Sequence, residues 1–138
     1  MKVLVDLNVL LDVIQKREPH YTASAAVLSN IARGKIGGAV PGHALTTIYY
    51  LVSRFAHRES ANEAIDWILG DFEVVGESRD IMLRARSLPM EDFEDAVVAA
   101  AAEAIHCDWV VTRNVRDFGA SPVSAITPKE LVELLTAG

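Results

Sequence analysis

Short apolar runs of strand length alternate with helix-patterned segments along this whole chain, and that alternation restricts the fold more than any other feature. Parallel strands cannot be joined by a tight turn, so each needs a crossover, usually a helix. Lys2 to Val5 opens the pattern as a short, mostly apolar run of the kind buried in a parallel sheet. Ile36 to Val40, weakened by Gly37 and Gly38, continues it, followed by Phe72 to Val75, Trp109 to Thr112 and Val123 to Ile126. The segments between predict helices. Asn8 is placed to cap one through Val9, Leu10, Leu11, Val13 and Ile14, which Pro19 ends. Others run from Thr22 to Arg33 before Gly34, from Ala44 to His57 after the Pro41-Gly42 break, from Ser60 to Leu69, and from Asp80 to Ser87. Ser60 and Glu63 have capping-box spacing. Asp92 to Ile105 is a strong helical segment containing six alanines. Thr127-Pro128-Lys129-Glu130 opens the last helix with a cap, a proline and a glutamate in the favoured order. The expected architecture is a three-layer α/β/α fold around a central parallel sheet of about four to five strands.

A chain of 138 residues, 51% of them hydrophobic, suits one domain over 1–138 with one packed core. No apolar run approaches the roughly 18–20 residues needed to cross a bilayer. The N-terminus enters a strand at once, without the pattern of a secretory leader, so no membrane association and a cytoplasmic location are expected. Cys107, the only cysteine, reads as a small buried apolar residue. The formal net charge of −6 is unusual for a nucleic-acid binder, which relies on Lys and Arg at phosphates. A bound cation or a local basic patch would relieve that conflict.

In open parallel sheets, ligands bind beyond the carboxyl ends of the strands. Asp6 ends the first strand, and Asn114 and Asp117 follow the strand Trp109–Thr112. Asp92 and Asp95 open the alanine-rich helix just before that strand and share one helix face. Separated segments can therefore aim oxygen ligands at one point. Clustered carboxylates repel one another and raise each other's pKa values. A hard ion such as Mg²⁺ or Mn²⁺ relieves that repulsion and prefers oxygen donors. Each acid also has an ordinary explanation. Asp92 fits a helix cap, Asp95 a first-turn acid that favours the helix dipole, and Asp6 and Asp117 fit turn residues.

Four stretches together resemble the PIN-domain family, specifically its VapC-like toxin branch. They are Val3-Leu4-Val5-Asp6-Leu7-Asn8-Val9-Leu10-Leu11-Asp12, Leu45-Thr46-Thr47-Ile48-Tyr49-Tyr50-Leu51, Asp92-Phe93-Glu94-Asp95-Ala96 and Thr112-Arg113-Asn114-Val115-Arg116-Asp117-Phe118. The resemblance covers essentially the whole chain. It implies a metal-dependent ribonuclease using Mg²⁺ or Mn²⁺, an RNA substrate, a cognate antitoxin as partner, and a homodimer, the last also in keeping with the aromatic helix around Tyr49 and Tyr50. By position, Asp6, Asp95 and Asp117 resemble the metal-binding acids, and Asn8 resembles the polar residue that steadies the first of them. Two departures stand out. Thr47 occupies the place of a usual Glu, and Asn114 that of a usual Asp, so the resemblance implies an outer-shell, water-orienting role for both. Asp92, one helical turn before Asp95, is placed to restore one of the lost charges as a further metal ligand.

The remaining residues point elsewhere. Tyr49, Tyr50, Trp67 and Trp109 read as packing residues, and His20, His43, His57 and His106 lack metal-ligand spacing. Arg54, His57 and Arg58 read as a solvated face, and the glycines fit no phosphate loop. Two rivals to the nuclease remain. One is a PIN-fold module that binds RNA or protein with little or no cleavage, motivated by Thr47 and Asn114. The other is a different Mg²⁺-dependent α/β protein, such as a phosphatase or receiver domain. Neither the Asp-x-Asp of the phosphatase nor the acceptor Asp and late Lys of the receiver is visible.

Overall fold

The computed structural model describes residues 1–138. Five parallel strands form one sheet in the order β3-β2-β1-β4-β5: β1 (Lys2–Val5), β2 (Gly37–Pro41), β3 (Glu73–Val75), β4 (Trp109–Val111) and β5 (Ala125–Ile126). Seven α-helices flank it: α1 (Leu7–Ile14), α2 (Tyr21–Ala32), α3 (Gly42–Phe55), α4 (Arg58–Asp71), α5 (Arg79–Ser87), α6 (Phe93–Ala104) and α7 (Pro128–Ala137). A short 3₁₀ turn, Val115–Phe118, follows β4. None of the helices is long and apolar enough to cross a membrane.

Side-chain alternation along the strands divides the core in two. Val3 and Val5 of β1, Val40 of β2 and Val111 of β4 face α1, α2, α3, α4 and α7. Leu4, Ala39 and Val110 face the opposite way, against α5 and α6. The alanines of α6 are buried, which lets this helix lie close to β1 and β4. The sheet is thus covered on both sides, as the apolar strands require. Gly38 is also explained: a Cβ there would lie 2.7 Å from two carbons of Ile31 on α2. The glycine that weakens β2 as a sequence signal is what allows α2 to pack on it.

Several boundaries differ from the sequence reading for local reasons. Asp6, not Asn8, caps α1, because its carboxylate accepts a hydrogen bond from the Leu7 N–H. Helix α4 begins at Arg58 rather than Ser60, because the extended His57 turns its ring to accept from the Ser60 N–H. Strand β5 starts only at Ala125, since Val123 spends its N–H and carbonyl on the Ser121 hydroxyl. The last helix has the predicted capping box, with Thr127 and Glu130 in reciprocal contact.

The strand order places a topological switch beside β1. The chain moves outward from β1 through β2 to β3, then returns to the other side of β1 as β4. Neighbouring crossovers diverge there, leaving a crevice beyond the carboxyl ends of β1 and β4. Asp6 and the segment 112–118 stand at that crevice.

Candidate functional site

Asp6 is the most constrained acid at this edge. Only 8% of the residue is exposed. Its Oδ1 accepts from the Leu7 N–H at 2.8 Å, and its Oδ2 accepts from the Thr112 hydroxyl at 2.9 Å and the Asn8 amide at 3.2 Å. Burial pushes its pKa up, and the hydrogen bonds from Thr112 and Leu7 oppose that rise. Thr112 is itself fully buried and accepts from the Asn114 N–H at 3.1 Å. Its hydroxyl therefore locks the end of β1 to the turn after β4. The sequence gives no sign of this role, because a strand-end Thr looks like any β-branched residue.

Asp95 lies in the first turn of α6 and is half-buried. Its carboxyl is pushed up to about 6, first by burial and then by repulsion from Asp92, Asp6, Asp117 and Glu94. Four acids from three segments thus act on one carboxylate, which places Asp6, Asp92 and Asp117 each within electrostatic reach of Asp95. Asp92 is the N-cap of α6, its Oδ1 accepting from the Asp95 N–H at 2.9 Å. Its ordinary structural role and its place in the cluster coexist. Asp117 is exposed on the 3₁₀ turn, and it shares with Asp92, Asp95 and Arg116 a cavity of about 480 Å³.

The two uncharged positions sit differently. Asn114 is exposed just before the 3₁₀ turn, with its carbonyl accepting from the Asp117 N–H. Thr47, on α3, donates its hydroxyl to the His43 carbonyl one turn earlier, at 3.1 Å. That bond uses the hydroxyl hydrogen and leaves only oxygen lone pairs for any other contact. Beside it, His43 and Glu77 form a pair that the sequence does not announce. Glu77 Oε1 lies 2.6 Å from His43 Nδ1 and accepts from the His43 backbone N–H at 2.8 Å. A small cavity joins His43, Thr47, Glu77 and Glu94. Glu77 lies just past the end of β3, which is the signal that could have found it.

A second buried acid lies on the other face of the sheet. Asp12, fully buried in α1, receives Arg113 Nε at 2.9 Å and the Ser24 hydroxyl at 3.1 Å on the same oxygen, Oδ2. Arg113 thus leaves the turn that holds Asp6 in the direction opposite to Asp95.

The donor chemistry at the crevice fits a hard divalent cation. The donors are oxygens, Asp6 is desolvated, and Asp95 carries an electrostatic cost that a cation would cancel. No three Asp, Glu, His or Cys side chains stand close enough to ligate one ion together. An ion held by one or two carboxylates with water in its other positions, as Mg²⁺ often is, suits such an open arrangement.

The PIN domain profile matches residues 2–116. No curated protein matches the sequence. Solved structures share the fold over nearly the whole chain. The VapBC2 complex of Rickettsia felis, bound to a DNA fragment from its promoter, superimposes with a TM-score of 0.72 at 20% identity, covering 92% of this chain and 98% of that one. A toxin–antitoxin complex from Klebsiella pneumoniae gives 0.70 at 20% identity over 93% and 98%. VapC20 of Mycobacterium tuberculosis, described as a toxin that cleaves the sarcin-ricin loop, gives 0.62 at 15% identity over 78% and 86%. At these identities the likeness is one of fold.

Proposed function

The chain belongs to the PIN-domain family, and from that premise we propose that it is a divalent-metal-dependent endoribonuclease, the toxin of a toxin–antitoxin pair, with 1–138 as its single domain. The observation that carries this reading is the convergence of Asp6, Asp92, Glu94 and Asp117 on Asp95 at the switch point of the sheet. In this proposal Asp6, Asp95 and Asp117 hold Mg²⁺ or Mn²⁺ with one or two carboxylates in direct contact and the rest acting through its bound water, as the open spacing requires, and Asp92 supplements their charge. The ion, when bound, supplies Lewis acidity at the phosphodiester and a more acidic water.

The residues have distinct tasks. Asp6 cannot turn away, because the Leu7 N–H and the Thr112 and Asn8 side chains hold both of its oxygens. Preorganisation of this kind avoids a reorganisation cost during reaction. Asp95 and Asp117 present carboxylates from α6 and the 3₁₀ turn. Asn114 offers an amide beside Asp117. Thr47 offers oxygen lone pairs toward water in the cavity it shares with Glu94. Hydrolysis would place the oxygen of one water on phosphorus and return a proton to the leaving ribose oxygen.

The proposed partners are single-stranded RNA, a cognate antitoxin and a second copy of the chain. The similar complexes from Rickettsia felis and Klebsiella pneumoniae support the antitoxin. Tyr50 and Phe55, exposed on α3, support a further apolar contact.

A second reading is a PIN-fold module that binds RNA or protein without cutting. It is favoured by the uncharged Thr47 and Asn114 and by the open spacing of the acids. Calorimetric titration with Mn²⁺ separates the two. The nuclease reading expects saturable binding that Asp6→Asn abolishes. Absence of binding to a folded wild type supports the binding module instead.

A further inference from the structure

The chain carries six more acidic than basic charges, yet a nuclease must hold a polyanion. One cavity answers that need. It measures about 350 Å³ and is lined by Arg113, Lys129, His20, Ser24 and Thr127. These residues come from the turn after β4, from α7, and from α2 and the segment before it. The cavity shares no residue with the one that holds Asp95 and Asp117.

Arg113 is anchored there. Its Nε donates to the fully buried Asp12, and none of its other guanidinium nitrogens has a partner in the protein. An arginine held at Nε has a fixed plane and keeps its terminal N–H groups as a fork, the geometry that matches phosphate. Its side chain is 28% exposed, whereas that of Asp12 is 0% exposed. The cavity therefore meets donors, while the compensating carboxylate stays behind them. Ser24 helps, since its hydroxyl also donates to Asp12 Oδ2. Of the acids adjacent in sequence to the lining, Glu130 turns back on the cap residue Thr127, and Glu18, which precedes Pro19, is exposed to solvent. Lys129 is exposed at the rim and makes no ion pair.

The position relative to the acids is equally specific. Arg113 immediately follows Thr112, whose hydroxyl holds Asp6, and its own N–H points to Asn8 Oδ1 at 3.4 Å. One backbone turn therefore carries an acid clamp on one side and a phosphate fork on the other. We propose that the cavity of Arg113, Lys129 and His20 is a phosphate subsite that takes a backbone phosphate of single-stranded RNA elsewhere along the strand that reaches the acids. The proposal rests on the nuclease reading for its substrate class, and its test does not depend on cleavage.

Fluorescence anisotropy of a labelled single-stranded RNA, in EDTA so that nothing is cut, provides that test. The full chain is compared with Lys129→Ala and with Arg113→Lys, which keeps the charge and a partner for Asp12 but loses the fork. Circular dichroism confirms folding. Each variant should weaken binding roughly three- to tenfold, and Lys129→Ala should flatten the plot of log affinity against log salt by about one ion. Unchanged affinity and salt slope in both folded variants would overturn the subsite, as would a wild type with no RNA affinity. Equal weakening by free inorganic phosphate in wild type and both variants also counts against it. The two readings fail separately. Cleavage in Mn²⁺ with unaltered binding in the variants removes the subsite and keeps the nuclease. Weakened binding in the variants of a chain that never cuts keeps the subsite and removes the nuclease.

Discussion

Replacing Arg113 with Met removes the one charged partner of a carboxylate that solvent does not reach. Asp12 is 0% exposed, and its Oδ2 takes both the Arg113 and the Ser24 hydrogen bonds while its Oδ1 has no partner in the protein. Removing one member of a buried ion pair strands the other, which typically costs about 3–5 kcal/mol. The Ser24 hydroxyl remains, so a loss of about 3 kcal/mol, at the lower end, is expected. The converse change is milder. Asp12→Asn leaves Arg113, which is 28% exposed, able to hydrate, and the amide oxygen still accepts from Nε. A loss of about 1–1.5 kcal/mol follows for that substitution. The double variant Asp12→Asn/Arg113→Met should recover much of the loss of Arg113→Met alone, because no buried charge is left behind. Urea unfolding followed by circular dichroism measures all four species of this cycle. An Arg113→Met variant that loses less than about 1 kcal/mol, or a double variant as unstable as the single, would refute the stranded-charge argument.

Three further outcomes are expected. Without divalent ions, the Asp95 carboxyl at about 6 holds its proton more tightly than in the unfolded chain, where the ordinary value is 3.8. The native state then binds more protons between these values, so stability is highest at the acid end of that window and is lost as pH rises through about 6. Asp95→Asn should flatten this slope, leaving the part that the raised Asp6 contributes, and, after discounting for solvent screening, stabilise the ion-free chain by about 1 kcal/mol at pH 7; a less stable variant in EDTA contradicts it. Thr47→Glu with Asn114→Asp should tighten Mn²⁺ roughly tenfold by calorimetry, because ligand charge governs hard-ion affinity, and an unchanged constant would mean that other groups already complete the site. Light scattering should give a dimer at micromolar concentration that Phe55→Asp weakens, since Phe55 is 72% exposed on α3; a monomeric wild type excludes the assembly.

The fold was legible because its signals are local. Alternating apolar runs and helical segments determine a parallel sheet, and the Thr127-to-Glu130 cap is self-contained. The places of Asp6 after β1, Asp95 at the start of α6 and Asp117 after β4 were legible from the element boundaries. What the sequence hid were long-range partners. Thr112 meets Asp6 across 106 residues, Arg113 meets Asp12 across 101, and Glu77 meets His43 across 34. No periodicity encodes such pairs. His43 has no metal-ligand spacing in the sequence, and its structural partner Glu77, against which it is half-buried, emerges only in the fold. Asn8 looked like a cap because Asn is a good one, but Asp6 stands two positions earlier with a carboxyl oxygen that accepts from the Leu7 N–H and takes that role.

Whether these carboxylates hold a divalent ion in support of RNA cleavage is decided by a gel time course of one labelled single-stranded RNA. Wild type with Mn²⁺, wild type with EDTA, and Asp6→Asn with Mn²⁺ are run together. Cleavage is expected in the first alone, appearing with ion concentration, together with Asp6→Asn protein that remains folded and still binds the RNA. Cleavage that persists in EDTA, or at an equal rate in Asp6→Asn, would contradict ion-supported cleavage at these carboxylates.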